Sequence, residues 1–294
     1  MKTAQHVLQC SGDPKRTTWF RTLIGLLAIA VTTAASADEP SSADVLKAMH
    51  RRVASLKVTA GAEPATPVKL VETPLLRYSN PGGLTVTTDG AVWAWGTTGR
   101  PKALTAIFFE QLPDNAGSKW SCELTALADE PVTVTSAAGW KWSPPHSGTE
   151  WKKCPDAPAV AESANERLRQ MKDLARQFTS SESFPTQTDE LRLLIRPIHR
   201  YADADHGLID GALFAFSAGT NPESVLALEA VAEAGGERRW QYSFFRMGAA
   251  ATRAKRGESI VWERPAIDVW VPKEPYFSAF GTDRDVFNLA DSTE

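Results

Sequence analysis

A short pattern that occurs twice constrains the fold of this chain more than any other feature. The segment DGAVWAWG (89–96) places two tryptophans one residue apart after an Asp-Gly turn signal, and DGALFAFS (210–217) has the same pattern with phenylalanines. Alternation of small or branched residues with aromatics is typical of a strand that follows a tight turn. We therefore expect the four aromatic side chains to build cores, and an aromatic platform for a ligand is the alternative.

The likeness extends to the segments on either side of these strands. The further matches are PLLRY (74–78) with PIHRY (197–201), ADVLKAMHRRVASL (43–56) with NERLRQMKDLARQF (165–178), Trp120 with Trp240, and WSPP (142–145) with WERP (262–265). Because all of them keep one order and nearly one offset, they indicate an internal duplication.

Each half also has its own pattern of secondary structure. Apolar residues three and four positions apart predict an amphipathic helix at 43–56 and at 165–178, and alternating segments after each helix predict strands. The sequence therefore predicts an α+β fold, in which each half is one helix followed by an antiparallel, cystatin-like meander of four to five strands. A single larger sheet built from both halves is the alternative.

The same reasoning divides the chain into five parts. They are a signal peptide (1–37), a first α+β repeat (38–142), a linker (143–162), a second α+β repeat (163–265) and a C-terminal tail (266–294).

The N-terminus has the composition of an export signal. Basic residues precede the apolar run LIGLLAIAV (23–31), and Ala35 and Ala37 then form an A-x-A cleavage pattern. The apolar run is too short to span a membrane, and no later segment approaches the required length. We expect an exported protein, periplasmic or secreted, with no transmembrane segment in the mature chain.

The overall composition excludes two classes of protein. Hydrophobic residues make up 43% of the chain and charged residues 23%, with a formal net charge of −3. Such a chain can bury a sizeable core, so disorder is not expected. The charge balance also argues against a nucleic-acid partner, which requires a strongly basic surface.

Two cysteines remain once Cys10 leaves with the signal peptide. In an exported protein, Cys122 and Cys154 are candidates for a disulfide. The alternative is that Cys122 is a buried thiol, because Trp120, Cys122 and Leu124 lie on one face of a strand.

The segment RYADADHGLID (200–210) is the strongest candidate for a metal site. Asp203, Asp205, His206 and Asp210 offer oxygen and imidazole ligands, although the downstream bidentate carboxylate of a calcium loop is missing. Asp and Gly are equally common in an ordinary hairpin loop. His199 on the preceding strand is the candidate base for an enzyme that uses this loop.

Motifs for catalysis are otherwise absent from the sequence. There is no G-x-S-x-G, H-E-x-x-H or Walker segment, and no cysteine has a plausible His and Asn order. We therefore predict no catalytic residue and no cofactor.

The segment GWKWSPPHSGTEWKKC (139–154) departs from the duplicated pattern. Trp140, His146 and Trp151 form a cluster typical of a glycan- or peptide-binding patch in a loop. Packing of these aromatics across the junction between the halves is the alternative.

Three of these segments also carry a resemblance. ELRLLIRPIHRY, LIDGALFAFSAGTNPE and LRQMKDLARQF resemble a family of exported proteins of planctomycete bacteria that has no established function. The resemblance implies an extracytoplasmic location and brings no catalytic motif.

Together, these features predict an exported soluble protein that is a non-enzymatic binding or interaction module, with an unknown protein, glycan or peptide as partner. One alternative is an extracytoplasmic enzyme or metal-binding protein that uses residues 199–210. The other is a carrier that holds an apolar ligand beneath a curved sheet.

Overall fold

Antiparallel strands dominate the computed structural model of this protein. Strands make up 50% of the structure and helices 14%. The structure describes residues 41–80, 86–111, 118–233, 235–267 and 274–289, and all of them lie within the unit Pro40–Glu294. The predicted signal peptide lies outside the described residues.

The described elements are numbered in chain order. The strands are β1 (Lys57–Ala60), β2 (Thr66–Pro67), β3 (Leu76–Asn80), β4 (Val86–Trp95), β5 (Ala103–Gln111), β6 (Ser118–Ala126), β7 (Val132–Thr135), β8 (Lys141–Trp142), β9 (Lys152–Lys153), β10 (Phe178–Phe184), β11 (Gln187–Leu193), β12 (His199–Asp203), β13 (Leu208–Ala218), β14 (Asn221–Ala232), β15 (Arg238–Arg246), β16 (Ala251–Arg256), β17 (Ser259–Arg264) and β18 (Tyr276–Gly281). The helices are α1 (Ser42–Ala54), α2 (Ala164–Ala175) and α3 (Asp283–Phe287), and a single 3-10 turn covers Ala204–His206.

These strands form three antiparallel sheets. A small sheet has the order β2-β1-β7-β8, and a five-stranded sheet has the order β18-β6-β5-β4-β3. A nine-stranded sheet has the order β17-β16-β10-β11-β13-β14-β15-β9, with β12 paired to β13. The strand β18 comes from the segment predicted as a C-terminal tail and pairs with β6 at one edge of the five-stranded sheet.

The prediction of an α+β protein built from two cystatin-like repeats is wrong. The structure is mostly β, and its large curled sheets are not a helix followed by a simple meander. The strand after β6 does not extend the meander, because β7 crosses to pair with β1, the strand that directly follows α1. In the same way β16 leaves β15 and pairs with β10, which directly follows α2.

Sequence reasoning overlooked the strands that receive these crossovers. The strand β10 reads FTSSESF and is mostly polar, so its composition gives little indication of a strand. It is a strand because it pairs on both sides, with β11 and with β16. One of these partners, β16, is far away in the chain, so local preference alone does not determine this part of the sheet.

Three hydrophobic cores lie between the helices and the large sheets and between the two large sheets themselves. The first lies between α1 and the five-stranded sheet and contains Trp93, and the second lies between α2 and the nine-stranded sheet and contains Phe214. The third lies between the five- and nine-stranded sheets, where Leu104 and Val225 are fully buried. The two large sheets thus pack face to face, and each has a helix on its outer face.

The C-terminal helix is fixed to α1 by a buried ion pair. Arg52 of α1 donates through Nε to Asp283 Oδ1 at 2.6 Å, and both side chains are almost fully buried. The guanidinium also lies 3.5 Å from the ring centroid of Trp120. This contact connects the last described segment to the first core.

Candidate functional site

The predicted metal loop does not bring its ligands together. Asp203 and His206 contact each other at 2.9 Å at the 3-10 turn, where His206 is largely exposed. Asp210 is buried and forms ion pairs with Arg167 and Arg200 instead. In the described part of the chain, no group of three or more His, Cys, Asp or Glu side chains is arranged to hold a metal ion.

The candidate base His199 packs against a neighbouring aromatic ring. His199 stacks beside Tyr201, with ring centroids 5.9 Å apart, and burial lowers the pKa of its imidazole. A partly buried histidine with a lowered pKa stays neutral near pH 7, which suits packing.

The three residues of the predicted binding patch have different environments. Trp140 packs on the first core and donates from Nε1 to the carbonyl oxygen of Val286 at 2.8 Å. Trp151 packs on the third core beneath the guanidinium of Arg100, 4.1 Å from its ring centroid. His146 is exposed on the connecting segment. The two tryptophans therefore contribute to two different cores and do not form one open aromatic surface.

The two cysteines are free thiols in this structure, so the structure does not contain the disulfide considered from the sequence. Cys122 lies in the first core and Cys154 in the second, and both are buried. Burial raises the pKa of both thiols. Thiols in such surroundings are unreactive, which is typical of packing residues.

An open groove lies at one end of the five-stranded sheet. It is bounded by residues 60–69, which include β2, and by residues 96–102, the turn between β4 and β5. Glu130 completes its lining, and its volume is about 520 Å³. Ligand pockets in proteins are commonly about 300–1,000 Å³, so this groove is large enough for a small molecule or a short chain segment.

The lining of this groove is mixed, and several of its polar side chains have no partner. Thr66, Lys69, Thr97 and Thr98 are exposed, and within the described residues none of these side chains has a hydrogen bond or an ion pair. Lys102 is paired with Glu130 at 2.5 Å. Three free hydroxyl groups and one free ammonium group are therefore available to a polar ligand.

The predicted acidic loop lies beside this groove. A Cβ atom added at Gly99, in the turn between β4 and β5, would lie 3.1 Å from Asp203 Oδ2. The hydrogen bond from His206 to Asp203 raises the pKa of the imidazole, while the nearby charge of Lys102 lowers it. The loop thus adds a titratable side chain next to the groove and does not form a separate site.

No local signal in the sequence marks the groove. The turn GTTGRPK (96–102) reads as an ordinary polar connection, and residues 60–69 have the composition of a loop. The groove exists only because the small sheet and the five-stranded sheet meet at this end.

Two clusters of polar side chains lie at opposite ends of the third core. The arginine end consists of Glu229, Arg100, Tyr201 and Gln241. Arg100 donates to both carboxylate oxygens of Glu229, at 2.6 and 2.9 Å, and Tyr201 and Gln241 donate at 2.9 and 3.0 Å. Glu229 is fully buried, so every hydrogen bond that it needs comes from these three side chains.

The carboxyl end consists of Glu110, Glu123, Glu182 and Glu223. Glu110 accepts a hydrogen bond from Ser121 Oγ at 2.6 Å and lies 3.2 Å from Lys119 Nζ. Tyr276 Oη donates to Glu123 at 2.6 Å, and Asn221 Nδ2 donates to Glu223. Within the described residues, Glu123, Glu182 and Glu223 have no ion pair.

This arrangement changes the protonation of the carboxyl end. Burial, together with the neighbouring charges of Glu182 and Glu123, raises the pKa of Glu223 well above its usual range. Burial and the nearby Glu110 raise the pKa of Glu123 to about 8, although the hydrogen bond from Tyr276 opposes this. Burial and Asp189 raise the pKa of Glu182 to about 6. Carboxyl groups without a cation therefore keep protons that ordinary glutamates lose.

Comparisons with known proteins identify no relative. No protein-family model, no curated protein and no solved structure matches this chain. The resemblance to exported planctomycete proteins therefore stays a prediction. None of the helices in the described part of the chain combines the length and the hydropathy that a membrane crossing requires.

Proposed function

We propose that the protein is exported, periplasmic or secreted, and that it is a non-enzymatic module that binds an extended polar ligand, a glycan or peptide, in the groove at 60–69 and 96–102. The observation that carries this proposal is the groove itself. It is open, it has a volume of about 520 Å³, and unpartnered hydroxyl and ammonium groups line it.

The character of the lining indicates the class of ligand. The free groups are three threonine hydroxyls and the Lys69 ammonium, all of which form hydrogen bonds with polar partners. Among the described residues that line the groove there is no aromatic side chain, and the apolar ones are Ala60, Pro67 and Val68, so the free polar groups would select the ligand. An extended polar chain fits this lining best.

The two alternatives from the sequence find less support. An enzyme that uses residues 199–210 would need Asp210, whose carboxylate is held by Arg167 and Arg200. A carrier would need an open space beneath a sheet, whereas the third core is filled by fully buried side chains such as Leu104 and Leu213.

A thermal-shift screen of the purified protein against glycans and peptides tests the proposed binding. A ligand at about 100 times its dissociation constant stabilises the native state by about 2.7 kcal/mol, which raises the melting temperature by several degrees. We expect one class of polar ligand to give such a shift. The absence of a shift with every glycan and peptide would contradict the proposal.

Variants in the groove locate the binding site. Lys69→Gln combined with Thr97→Ala should weaken the ligand at least about tenfold and leave the melting temperature of the free protein almost unchanged, because both residues are exposed. The matched control is Lys141→Gln, which removes an exposed lysine of β8 outside the groove. If the control weakens binding as much as the groove variants do, the site lies elsewhere.

Export is tested separately by sequencing the N-terminus of the protein recovered outside the cytoplasm. Cleavage after Ala37 is the expected result, because Ala35 and Ala37 form the A-x-A pattern. Recovery of the intact chain from the cytoplasm would contradict this part of the proposal and leave the groove experiment unaffected.

A further inference from the structure

The groove of the proposed function has an unbalanced positive charge. Within the described residues, three charged side chains line it, those of Lys69, Lys102 and Glu130. Glu130 is paired with Lys102 at 2.5 Å, whereas the exposed side chain of Lys69 has neither an ion pair nor a hydrogen bond in the described part of the chain. A ligand in the groove therefore meets one positive charge that no side chain of the lining neutralises, although the whole chain has a formal net charge of −3.

Building on the proposed binding function, we propose that the ligand of this groove is an acidic glycan, a chain of sugars with carboxylate groups, and that Lys69 and Lys102 bind these carboxylates. A neutral glycan and an acidic peptide are the competing ligands.

Both lysines adjoin the same residue, Gly96. The backbone N–H of Gly96 donates to the carbonyl oxygen of Lys69 at 2.8 Å, and a Cβ atom added at Gly96 would lie 3.6 Å from Lys102 Cγ. Gly96 has a φ of +109°, a conformation that favours glycine, so no side chain at this position covers the lysines. Because lysine carries its ammonium group on a long flexible stem, both charges can reach one bound chain.

The free hydroxyl groups of the lining suit a sugar. Thr66, Thr97 and Thr98 each offer a donor and acceptor positions, as the hydroxyl groups of a sugar do. The described lining contains no aromatic ring on which a neutral sugar could stack. Discrimination among glycans therefore depends on the charged groups, because charge-assisted hydrogen bonds are roughly twice as strong as neutral ones.

The backbone of the groove is less suited to an extended peptide. A peptide commonly binds by adding a strand to a free sheet edge, where it pairs with backbone groups. Along β2 and the residues after it, Pro67 has no N–H group, the N–H of Val68 donates to Val58 at 2.9 Å, and the carbonyl oxygen of Lys69 is bonded to Gly96. These backbone groups are missing or already bonded, whereas the side-chain groups of the lining remain free.

Glu130 competes with the ligand for Lys102. The two side chains keep 34% and 36% of their surface exposed, and an ion pair that is this exposed contributes little stability. A carboxylate of the ligand can therefore take the place of Glu130 beside the ammonium group. It follows that removal of the charge at Glu130 should strengthen binding, while removal of the charge at Lys69 should weaken it.

Isothermal titration calorimetry of the whole protein tests the class of ligand. The probes are trigalacturonate and trimannuronate, which are acidic glycans, their neutral methyl esters, and the acidic peptide triglutamate. We expect one of the acidic glycans to bind, its methyl ester to bind at least about tenfold more weakly, and the affinity of the acid to fall as salt screens the charges.

The alternative outcomes separate this proposal from the binding function itself. Equal affinity for an acid and its ester, or tighter binding of triglutamate than of both acidic glycans, overturns the acidic glycan and leaves binding in the groove intact. Failure of both acidic glycans also overturns it. If no glycan or peptide of any charge binds, the proposed binding function fails as well.

Variants of opposite charge effect then place the acidic ligand in the groove. Lys69→Gln should weaken the bound acid about fivefold, and Glu130→Gln should tighten it about threefold, with the melting temperature of the free protein almost unchanged in both. The matched controls are Lys141→Gln on β8 and Glu263→Gln on β17, where an exposed glutamate is paired with Arg253. Both controls should bind like wild type. Unchanged affinity in Lys69→Gln, or weaker binding in Glu130→Gln, overturns the assignment.

Discussion

The two ends of the third core neutralise buried glutamates in different ways. Glu229 and Glu223 both lie on β14, six residues and therefore about 20 Å apart, and Val225 and Ala227 between them belong to the third core. Glu229 is paired with the permanent charge of Arg100. Glu223 has no ion pair among the described residues, and burial raises the pKa of its carboxyl group well above the usual range. Neutralisation of the buried carboxyl group therefore depends on an arginine side chain at one end of the core and on the pH at the other end.

This difference has a physical consequence for each end. Burial disfavours the charge of Arg100, but the hydrogen bonds and the attraction of Glu229 outweigh it and raise the pKa of the guanidinium. The guanidinium therefore stays charged at all physiological pH values. A carboxyl group that is neutralised by a proton becomes charged when the pH rises above its pKa. We expect mutation to damage the arginine end most, and alkaline pH to damage the carboxyl end most.

The largest expected effect follows from removing the guanidinium at the arginine end. Arg100→Met leaves Glu229 fully buried without a cation, and breaking such a buried pair costs about 3–5 kcal/mol. Urea unfolding at pH 7 measures this loss.

The corresponding change at the carboxyl end is Lys119→Met. Lys119 and Glu110 keep 22% and 10% of their side-chain surface exposed, and solvent weakens such a pair, so the loss should stay below about 1 kcal/mol. Equal losses in the two variants would mean that the ends do not differ in the way proposed.

The second prediction compares two glycines that each lie under a tyrosine ring. A Cβ atom at Gly211 would lie 2.5 Å from Tyr201, and one at Gly90 would lie 2.6 Å from Tyr78. Overpacking of this kind costs about 1–3 kcal/mol.

Gly211→Ala should be the more destabilising of the two, because the hydroxyl of Tyr201 is bound to Glu229 and the ring cannot shift without breaking that contact. Thermal unfolding of both variants measures the difference. A larger loss in Gly90→Ala would show that the ring of Tyr78 is held more rigidly than the ring of Tyr201.

Local patterns in the sequence were sufficient for some of this architecture. The alternation in DGAVWAWG and DGALFAFS predicted strands with core aromatics, and Trp93 and Phe214 are fully buried in β4 and β13. Helices with apolar residues three and four positions apart were also predicted, and α1 and α2 occupy those segments. These signals are strong because each one depends on residues close together in the chain.

The candidate site and the sheet order depend on distant residues, and local patterns could not predict them. Arg100 and Glu229 are 129 positions apart, and nothing near either residue identifies its partner. The pairing of β7 with β1 is likewise decided by register and packing across the first core. The groove arises only where residues 60–69 meet residues 96–102.

The third prediction concerns the pH dependence at acidic pH. The pKa of Glu182 rises from 4.5 to about 6 on folding, so between these values the native state holds a proton that the unfolded state has lost. Wild type therefore loses up to about 2 kcal/mol from this group as the pH rises from about 4.5 to 6. Glu182→Gln should flatten the stability curve in that window, as measured by urea unfolding. A slope that persists unchanged in this variant would remove Glu182 from the carboxyl end.

The smallest expected effect comes from the hydrogen bond between Tyr276 and Glu123. Tyr276→Phe removes one hydrogen bond at 2.6 Å, which costs about 0.5–1.5 kcal/mol. The same hydrogen bond lowers the pKa of Glu123, so its removal should move the carboxyl titration to a higher pH in a carbon-13 NMR experiment. At the arginine end, Tyr201→Phe removes a hydrogen bond to an ionised carboxylate and should cost more, about 1.5–3 kcal/mol. If Tyr276→Phe is the more destabilising change, Glu123 is ionised in the native state.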